Sequence, residues 1–553
     1  MTKHSVVRRI FSIVMAMALV LSLGMTSLTV RAAGEPVKEL SIHDLPADFS
    51  GKTVILHSND IHGAIGRYGY IASVKQNLQS RGAEVILVDA GDFSQGTPYV
   101  STTKGLDAVA SMNAAGYDLI TLGNHEFDYG VTQLKANLAT AKFGTVCASF
   151  LDGNGNSVFT PHTIITKGGV RVGFYGLVTP ETMTKVTPSF VKGYTFLEKD
   201  ALYKCSQEQV DQLKAEGADL VICLAHLGVD EESKLNACRS VDVFPKTKGI
   251  DLMIDGHSHT VMTASSNNLP IQSTGTKLQD IGVVVIDNAS KKIEDHYLVS
   301  LEGLQKEVIT DAVTTAIIKR VDAEYGQSFG KSEVELNGAK APGNRTEETN
   351  LGDLITDALL WSVSKNAGAI TVDKDHIVAI TNGGGIRAAI HAGAITKKDI
   401  NTVLPFGNTV AVVYVTGEEL LEALEASTFA APDAIGGYPQ TAGIKFTIDT
   451  KKSFAQGPAY PASTYHKPAS INRVTIESIN GQPFSKTDTY AVVTNNFCAD
   501  GGDTYYVFKN ASAQFDTGIV MDEAVMDYVK TELRGTVPAS KYGQPRGDQT
   551  QLK

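Results

Sequence analysis

The chain is poor in cysteine and tryptophan, with five Cys and one Trp in 553 residues. Five is an odd number, and none of the cysteines has CxxC spacing, so a dense disulfide framework and a thiolate zinc site are both excluded. Cys147 and Cys223 lie in apolar, strand-like runs and read as small buried hydrophobes, whereas Cys205 and Cys238 are the pair that could bridge. Positive charge is also scarce. Lys+Arg number 49 against 60 Asp+Glu, for a net charge of −11. Binding to a nucleic-acid polymer needs clustered Lys and Arg on phosphates, and this balance argues against it. Past residue 30 no run approaches the roughly 18 apolar residues of a membrane helix, which excludes a polytopic membrane protein. No internal repeat, collagen period or heptad is present. What remains is a globular chain, 42% hydrophobic and 20% charged. It is too long for one core, since cores stop growing at roughly 250–300 residues, so two domains are expected.

Lys3, Arg8 and Arg9 precede the uncharged run Ile10–Val30. A basic start, an apolar stretch and then small residues at Val30-Arg31-Ala32 form the layout of a signal peptide over residues 1–32, cleaved after Ala32 or Ala33. An uncleaved anchor is the alternative, but Gly24, Thr26, Ser27 and Thr29 make the second half of the run weakly apolar. No cysteine occurs there to carry a lipid, and the tail from Tyr542 to Lys553 is polar. The expectation is a soluble exported protein, extracellular or periplasmic, with no stable membrane anchor.

From Thr53 to about Val299 apolar runs alternate with amphipathic stretches. Thr53–His57, Val85–Asp89, Leu119–Leu122, Val170–Leu177, Leu220–Ala225, Leu252–Asp255 and Val283–Asp287 read as buried strands. Tyr70–Arg81, Thr132–Thr140 and Ala201–Glu216 read as helices, the last ending at Gly217, a residue suited to a C-cap. This alternation predicts a layered α/β domain over residues 50–303. Leu304–Tyr325 reads as one helix within a connector at 304–329, and the Gly-rich, polar stretch Gly326–Arg345 looks like the joint. A second mixed α/β domain is expected over 330–540. Its helices fall at Leu351–Ser364 and Gly417–Ser427, and its strands near Val378–Ile380, Val410–Val415, Ile444–Ile448 and Tyr490–Val493.

The chemistry lies at strand ends. After the first strand comes Ser58-Asn59-Asp60-Ile61-His62, and after the second Ala90-Gly91-Asp92. After the third comes Gly123-Asn124-His125-Glu126, and later strands deliver His226 and Gly256-His257-Ser258-His259. Parallel α/β sheets bind ligands beyond the carboxyl ends of their strands, so these groups should converge. Asp60 and His62, like His257 and His259, stand two apart and would point the same way in extended chain. A lone histidine after a strand is usually a hydrogen-bonded structural residue, and a lone aspartate usually a helix cap. Five such endings in one half are a different matter. Mixed carboxylate, amide and imidazole donors suit Mn, Zn, Fe or Co better than calcium. Seven candidates, Asp60, His62, Asp92, Asn124, His226, His257 and His259, exceed one tetrahedral ion and fit two ions acting on a phosphoryl group. His4, His43, His162, His296, His376, His391 and His466 lack this context, and His57 lies within its strand, where a supporting role is expected.

In the second half, Asn382-Gly383-Gly384-Gly385-Ile386-Arg387 follows an apolar run. A structural turn is the bland reading of three glycines, but the arginine could fork onto phosphate or carboxylate. Phe406 in Leu404–Asn408 and Phe497 in Asn496–Asp503 each sit beside turn residues, available to stack on a flat ring. Together they suggest two rings sandwiching a nucleobase, with Asp503 accepting from ribose hydroxyls.

These motifs resemble the calcineurin-like metallophosphoesterases, and Asn124-His125-Glu126-Phe127-Asp128 narrows the resemblance to the 5′-nucleotidase family of secreted bacterial enzymes and animal ecto-enzymes. It covers nearly the whole chain after the leader. The resemblance implies a four-layer α/β-β/α metal-binding domain and a C-terminal substrate domain that rotates about the connecting helix, with a hinge between about Glu324 and Arg345. It implies two divalent ions, Mn, Zn, Co or Mg. One would be held by Asp60, His62, Asp92 and His259 and the other by Asp92, Asn124, His226 and His257. Several relatives carry Gln or Asn where His259 stands, so metal preference is open. It further implies that His125 stabilises the transition state, oriented by Asp128, and that a hydroxide carried by the ions attacks. Stacking by Phe406 and Phe497, ribose contact from Asp503, phosphate contact from Arg387 and Arg345, and base-edge contacts from Asn382 and Asn408 complete it. The alignment of Arg345 is loose.

The expected activity is release of phosphate from nucleoside 5′-monophosphates, with UDP-sugars or other nucleotides as further substrates. The rival within the superfamily is a 2′,3′-cyclic-nucleotide 2′-phosphodiesterase/3′-nucleotidase, whose members tend to have Asn where Asp128 stands. A thiosulfate-ester hydrolase is disfavoured by Phe406 and Phe497, and a binding protein with a dead site by the intact ligand set.

Overall fold

The structure is a computed structural model that describes residues 37, 39–263, 268–365 and 370–552. The expected signal peptide at 1–32 lies outside the described residues. Among the described residues no helix is long and apolar enough to cross a membrane.

Two sheets stack face to face in the first half. The seven-stranded sheet runs Glu39–Leu40, Lys292–Ser300, Asp280–Asp287, Lys52–Ser58, Glu84–Asp89, Leu119–Ile120, Gly144–Thr145. The six-stranded sheet runs Val261–Met262, Ile271–Thr274, Leu252–Ile254, Leu220–His226, Val170–Val178, His162–Lys167. Strand alternation explains the layers, because neighbouring side chains point to opposite faces. Ile55, Ile86 and Val88 of the first sheet meet Phe174, Ile222 and Leu224 of the second in one core between the sheets. Val54, Leu56, Val85 and Leu87 face the other way, under the helices Tyr68–Ser80 and Leu106–Ala115. Val221, Cys223 and Ala225 face outward under the helix Lys199–Ala215. Helix, sheet, sheet, helix is the expected four-layer arrangement. Both faces of the central strands are covered, which is why they read as continuous apolar runs.

Strand direction decides which ends carry chemistry. Lys52–Ser58, Glu84–Asp89 and Leu119–Ile120 are parallel, as are Val170–Val178, Leu220–His226 and Leu252–Ile254. Asp280–Asp287 is antiparallel to Lys52–Ser58, so its carboxyl end faces away from the others and delivers no site residue. His57 is fully buried opposite Gly282, where a Cβ would come within 1.9 Å of its ring. Neither of its ring nitrogens has a hydrogen-bond partner, and burial pushes its pKa down to about 3, so any support it gives the site is packing by a neutral ring. Cys205 and Cys238 are free thiols, like the other three cysteines. The Cys238 sulfur is instead engaged with the backbone, accepting from Lys199 N (3.2 Å) and donating to Asn236 O (3.1 Å).

The connecting helix begins at Val308, not Leu304, because the Glu307 carboxylate caps it, accepting from Ile309 N (3.0 Å) and Thr310 N (2.7 Å). It runs to Tyr325 against the first half, where Ile317 joins the core and Thr310 donates to Ala114 O. The Gly-rich joint that follows contains a strand, Ser328–Ser332. In the second half a five-stranded sheet runs Pro439–Ala442, Ile377–Asn382, Thr489–Asn495, Thr409–Thr416, Ala513–Val520. The helix Asn350–Ser364 packs on one face, over Ala379, Val412 and Val493, and Gly417–Ser427 on the other, over Val378, Val413 and Val492.

Phe174 is fully buried between the two sheets of the first half. Phe174→Ala should destabilise that half by about 3–5 kcal/mol. Chemical denaturation would record this as a lower first midpoint, and an unchanged midpoint would contradict its place in the core.

Candidate metal centre and substrate cleft

The strand-end residues of the first half converge as the sequence predicts, but by a different backbone device. Asp60 (φ 50°), His62 (45°), Asp92 (63°), His257 (79°) and His259 (57°) all adopt the left-handed conformation. The pairs Asp60/His62 and His257/His259 are therefore not extended, and tight turns rather than strand alternation aim their side chains inward. Each such residue costs on the order of 1–3 kcal/mol and persists only where its surroundings fix it. Here they do: Asp60 N donates to Gly91 O (2.9 Å) and His62 N to Asp92 O (3.0 Å), lacing two loops together. A Cβ on Gly91 would lie 2.3 Å from Gly123 N, so glycine is required for this approach.

Glu126 holds the loop of Asp92. Its carboxylate accepts from Asp92 N and Gly123 N (both 2.7 Å), Phe93 N (2.9 Å) and Ser94 N (3.1 Å). The sequence placed Glu126 in the Asn-His-Glu motif without giving it a task. Its three-residue spacing from Gly123, as in a capping box, was the available signal.

The donor atoms then face one another. His226 Nδ1 donates to Ala90 O (2.7 Å), which can only accept, so Nε2 is the ring nitrogen turned into the site, 3.1 Å from Asp92 Oδ2. His257 Nε2 donates to the Glu181 carboxylate (3.0 Å), which turns Nδ1 toward Asn124 Oδ1, 2.9 Å away. His62 Nε2 and His259 Nε2 approach to 2.9 Å, and both lie near Asp60 Oδ1, at 3.8 and 3.5 Å. Carboxylate oxygens, an amide oxygen and imidazole nitrogens gathered in a buried site form a donor set that a divalent cation between them would satisfy. Asp60, His62 and His259 form one cluster of convergent ligand atoms, and Asp92, His226 and His257 form another. Burial opposes charge on His226, yet Asp92 beside it pushes its pKa up to about 10, a measure of how strongly the site attracts positive charge. Burial raises the pKa of Asp60 to about 7. Glu181 behaves oppositely. Burial would raise it, but the bond from His257 and the charge of Lys185 hold it down to about 2. An ionised carboxylate behind a ligand histidine fixes its tautomer and ring orientation. No sequence motif pointed to Glu181.

His125 lies beside this cluster. Its N–H donates to Asp92 Oδ1 (2.9 Å), and its Nδ1 pairs with Asp128 Oδ2 (2.7 Å), leaving Nε2 available. Burial works against the imidazolium, but Asp128 and Asp92 outweigh it and raise the pKa.

A cleft of about 850 Å³ joins the two halves. Asp92, Asn124, His125, Asp128, His257 and His259 line its metal side, and Arg345, Asn382, Arg387, Phe406, Asn408, Phe497 and Asp503 line the other. Every substrate residue expected from the sequence is present, but their local partners differ. Asn382 Nδ2 donates to Asp503 Oδ2 (2.8 Å), so these two side chains are already paired on the cleft wall. Phe406 stacks on His125, with ring centroids 5.6 Å apart and planes at 28°. Arg387 lies 5.8 Å from the Phe406 ring centroid, and burial with Arg345 nearby pushes its pKa down to about 10. Lys185 and Glu232, from the first half, also line the cleft and were not singled out from the sequence.

Residues 53–261 match the calcineurin-like phosphoesterase family, and residues 328–510 match the 5′-nucleotidase C-terminal domain. The chain is 30% identical over 543 residues to the trifunctional nucleotide phosphoesterase protein YfkN of Bacillus subtilis, covering 88% of this chain but spanning only 34% of that protein's length. It is 29% identical over 533 residues to the snake venom 5′-nucleotidase of Naja atra, covering 87% of this chain and 96% of that one. The crystal structure of the 5′-nucleotidase precursor from Thermus thermophilus superposes with a TM-score of 0.75 at 27% identity, covering 91% of this chain and 99% of that one. Two family domains in this order, a shared two-domain fold, and a buried cluster of ligand atoms on the phosphoesterase side place the chain in the 5′-nucleotidase family as a metal-dependent phosphoester hydrolase.

Proposed function

We propose that this chain is an exported 5′-nucleotidase that releases phosphate from nucleoside 5′-monophosphates, with UDP-sugars or other nucleotides as further substrates. The observation that carries the reading is the single cleft, which has acceptor-rich clusters on one wall and two arginines, two phenylalanines and a buried aspartate on the other. In this reading the domains span 50–303 and 330–540, joined by 304–329. Asp60, His62, Asp92 and His259 would hold one divalent ion, and Asp92, Asn124, His226 and His257 would hold the second. When bound, such ions act as Lewis acids toward phosphoryl oxygens and activate water for attack.

The remaining steps fall to the chain's own residues. Arg387 and Arg345 are like charges in one cleft, and a phosphate between them relieves their repulsion while offering each a bidentate partner. His125, held through Nδ1 by Asp128, presents Nε2 to the oxygen that gains charge, donating a hydrogen bond or a proton to it. Phe406 and Phe497 grip the base, and Asp503, held by Asn382, accepts from the ribose. The ions alone would act on many phosphate esters, so selectivity comes from binding the far end of the substrate.

The test is a substrate panel. Purified protein should release phosphate from AMP in a chelator-sensitive manner, with 3′-AMP, 2′,3′-cyclic AMP and UDP-glucose assayed alongside. No chelator-sensitive release from any of them would overturn the enzyme reading, and turnover of only the 3′ and cyclic substrates would replace it with the cyclic phosphodiesterase. His125→Ala should lower kcat by roughly 10²–10⁴ while bound metal, measured by elemental analysis, is retained. Full activity in that variant would remove His125 from the chemistry.

A further inference from the structure

Lys185 and Glu232 belong to the metal-bearing half, at the end of the helix Thr182–Lys185 and in the turn Glu231–Asn236. Their side chains are only 13% and 5% exposed, and they form an ion pair. A buried Lys–Glu pair gives up several kcal/mol of hydration per ion, so it is a poor device for stability alone. Most of its other partners lie across the cleft. Lys185 Nζ stands 3.7 Å from Asp503 Oδ1. Glu232 accepts from Tyr465 Oη (2.5 Å) and from Gly436 N (3.2 Å). Beside them Asp503 N donates to Thr184 O (2.6 Å), and Thr184 Oγ1 meets Thr464 Oγ1 at 3.3 Å. One patch of the first half therefore touches Asp503 at both its backbone and its carboxylate.

We propose that Lys185, clamped by Glu232, is a positioning residue for nucleoside recognition: it fixes the Asp503 carboxylate toward the substrate's sugar hydroxyls, so that the metal-bearing half completes the nucleoside grip when the two halves are closed. The inference rests on the nucleotidase reading above. The two oxygens of Asp503 have different neighbours, Asn382 Nδ2 on Oδ2 and Lys185 on Oδ1, which leaves lone pairs on both for vicinal hydroxyls. Burial raises the pKa of Asp503 above the usual carboxylate value, and Lys185 limits that rise. Burial would likewise lower the pKa of Lys185, but Glu232 and Asp503 more than reverse it, so the ammonium stays charged. Glu232 thus compensates a cation that a lone buried aspartate would share with the substrate. A purely structural pair would need neither a place on the cleft wall nor contact with Asp503.

The test compares AMP with p-nitrophenyl phosphate, which carries no nucleoside, in the metal-loaded full chain. In K185M the ratio of kcat/KM for AMP to that for p-nitrophenyl phosphate should fall about tenfold or more, chiefly through KM for AMP. K185R should recover part of the loss. K185M/E232Q, which removes both charges of the pair, should show the same fall in ratio even if K185M alone folds poorly. Combined with Asp503→Ala, K185M should add little, because both act on one contact. A ratio unchanged in K185M/E232Q, or full additivity with Asp503→Ala, would overturn the proposal while leaving the nucleotidase reading intact. If the wild-type chain cleaves p-nitrophenyl phosphate but no nucleotide, both are overturned together.

Discussion

The arrangement of this protein depends on metal-ligand atoms crowded together away from water. His226 Nε2 faces Asp92, His257 Nδ1 faces Asn124, and His62 and His259 meet beside Asp60, all within the buried end of an α/β sandwich. Such groups are costly to remove from water. They stay together because the loops that carry them are tied by Glu126 and by bonds between neighbouring strand ends, and because two stacked sheets fix where those ends lie. The left-handed backbone at five of these residues is part of the same constraint. A divalent cation bound among them would offset that cost by coordination, and its binding energy would also be folding energy for this end of the domain.

The second half adds discrimination. Its arginines, aromatic rings and the Asn382–Asp503 unit face the metal residues across one cleft. The two halves do more than face each other. Glu181 holds His257 on the metal side, and Lys185, one helical turn further on, reaches Asp503 on the substrate side. The segment 181–185 therefore touches both ends of the cleft, so a shift of the second half alters the surroundings of Lys185 and Asp503 directly.

Much of this was legible in the sequence because it follows from periodicity and order. Continuous apolar runs marked strands covered on both faces, and the polar residues after five of them marked the site. The antiparallel course of Asp280–Asp287 explains why that strand had no such ending. Other features carried no local signal. Asp60 and His62 looked like an extended pair because spacing alone does not distinguish strand alternation from a left-handed turn. Glu181, Lys185 and Glu232 stand in stretches with ordinary composition, and their importance comes only from what the fold brings against them. Asn382 and Asp503 are 121 positions apart, so their bond could not be read from either motif. The start of the connecting helix was missed by four residues because Glu307, an ordinary surface glutamate by sequence, caps it.

The central claim is that these crowded ligand atoms form two adjacent cation sites sharing Asp92. Crystals grown with Mn²⁺ and measured at a wavelength where manganese scatters anomalously test it directly. The account predicts two strong anomalous peaks roughly 3.5–4 Å apart, one among Asp60, His62, Asp92 and His259, the other among Asp92, Asn124, His226 and His257. A single peak, or peaks away from Asp92, would contradict it.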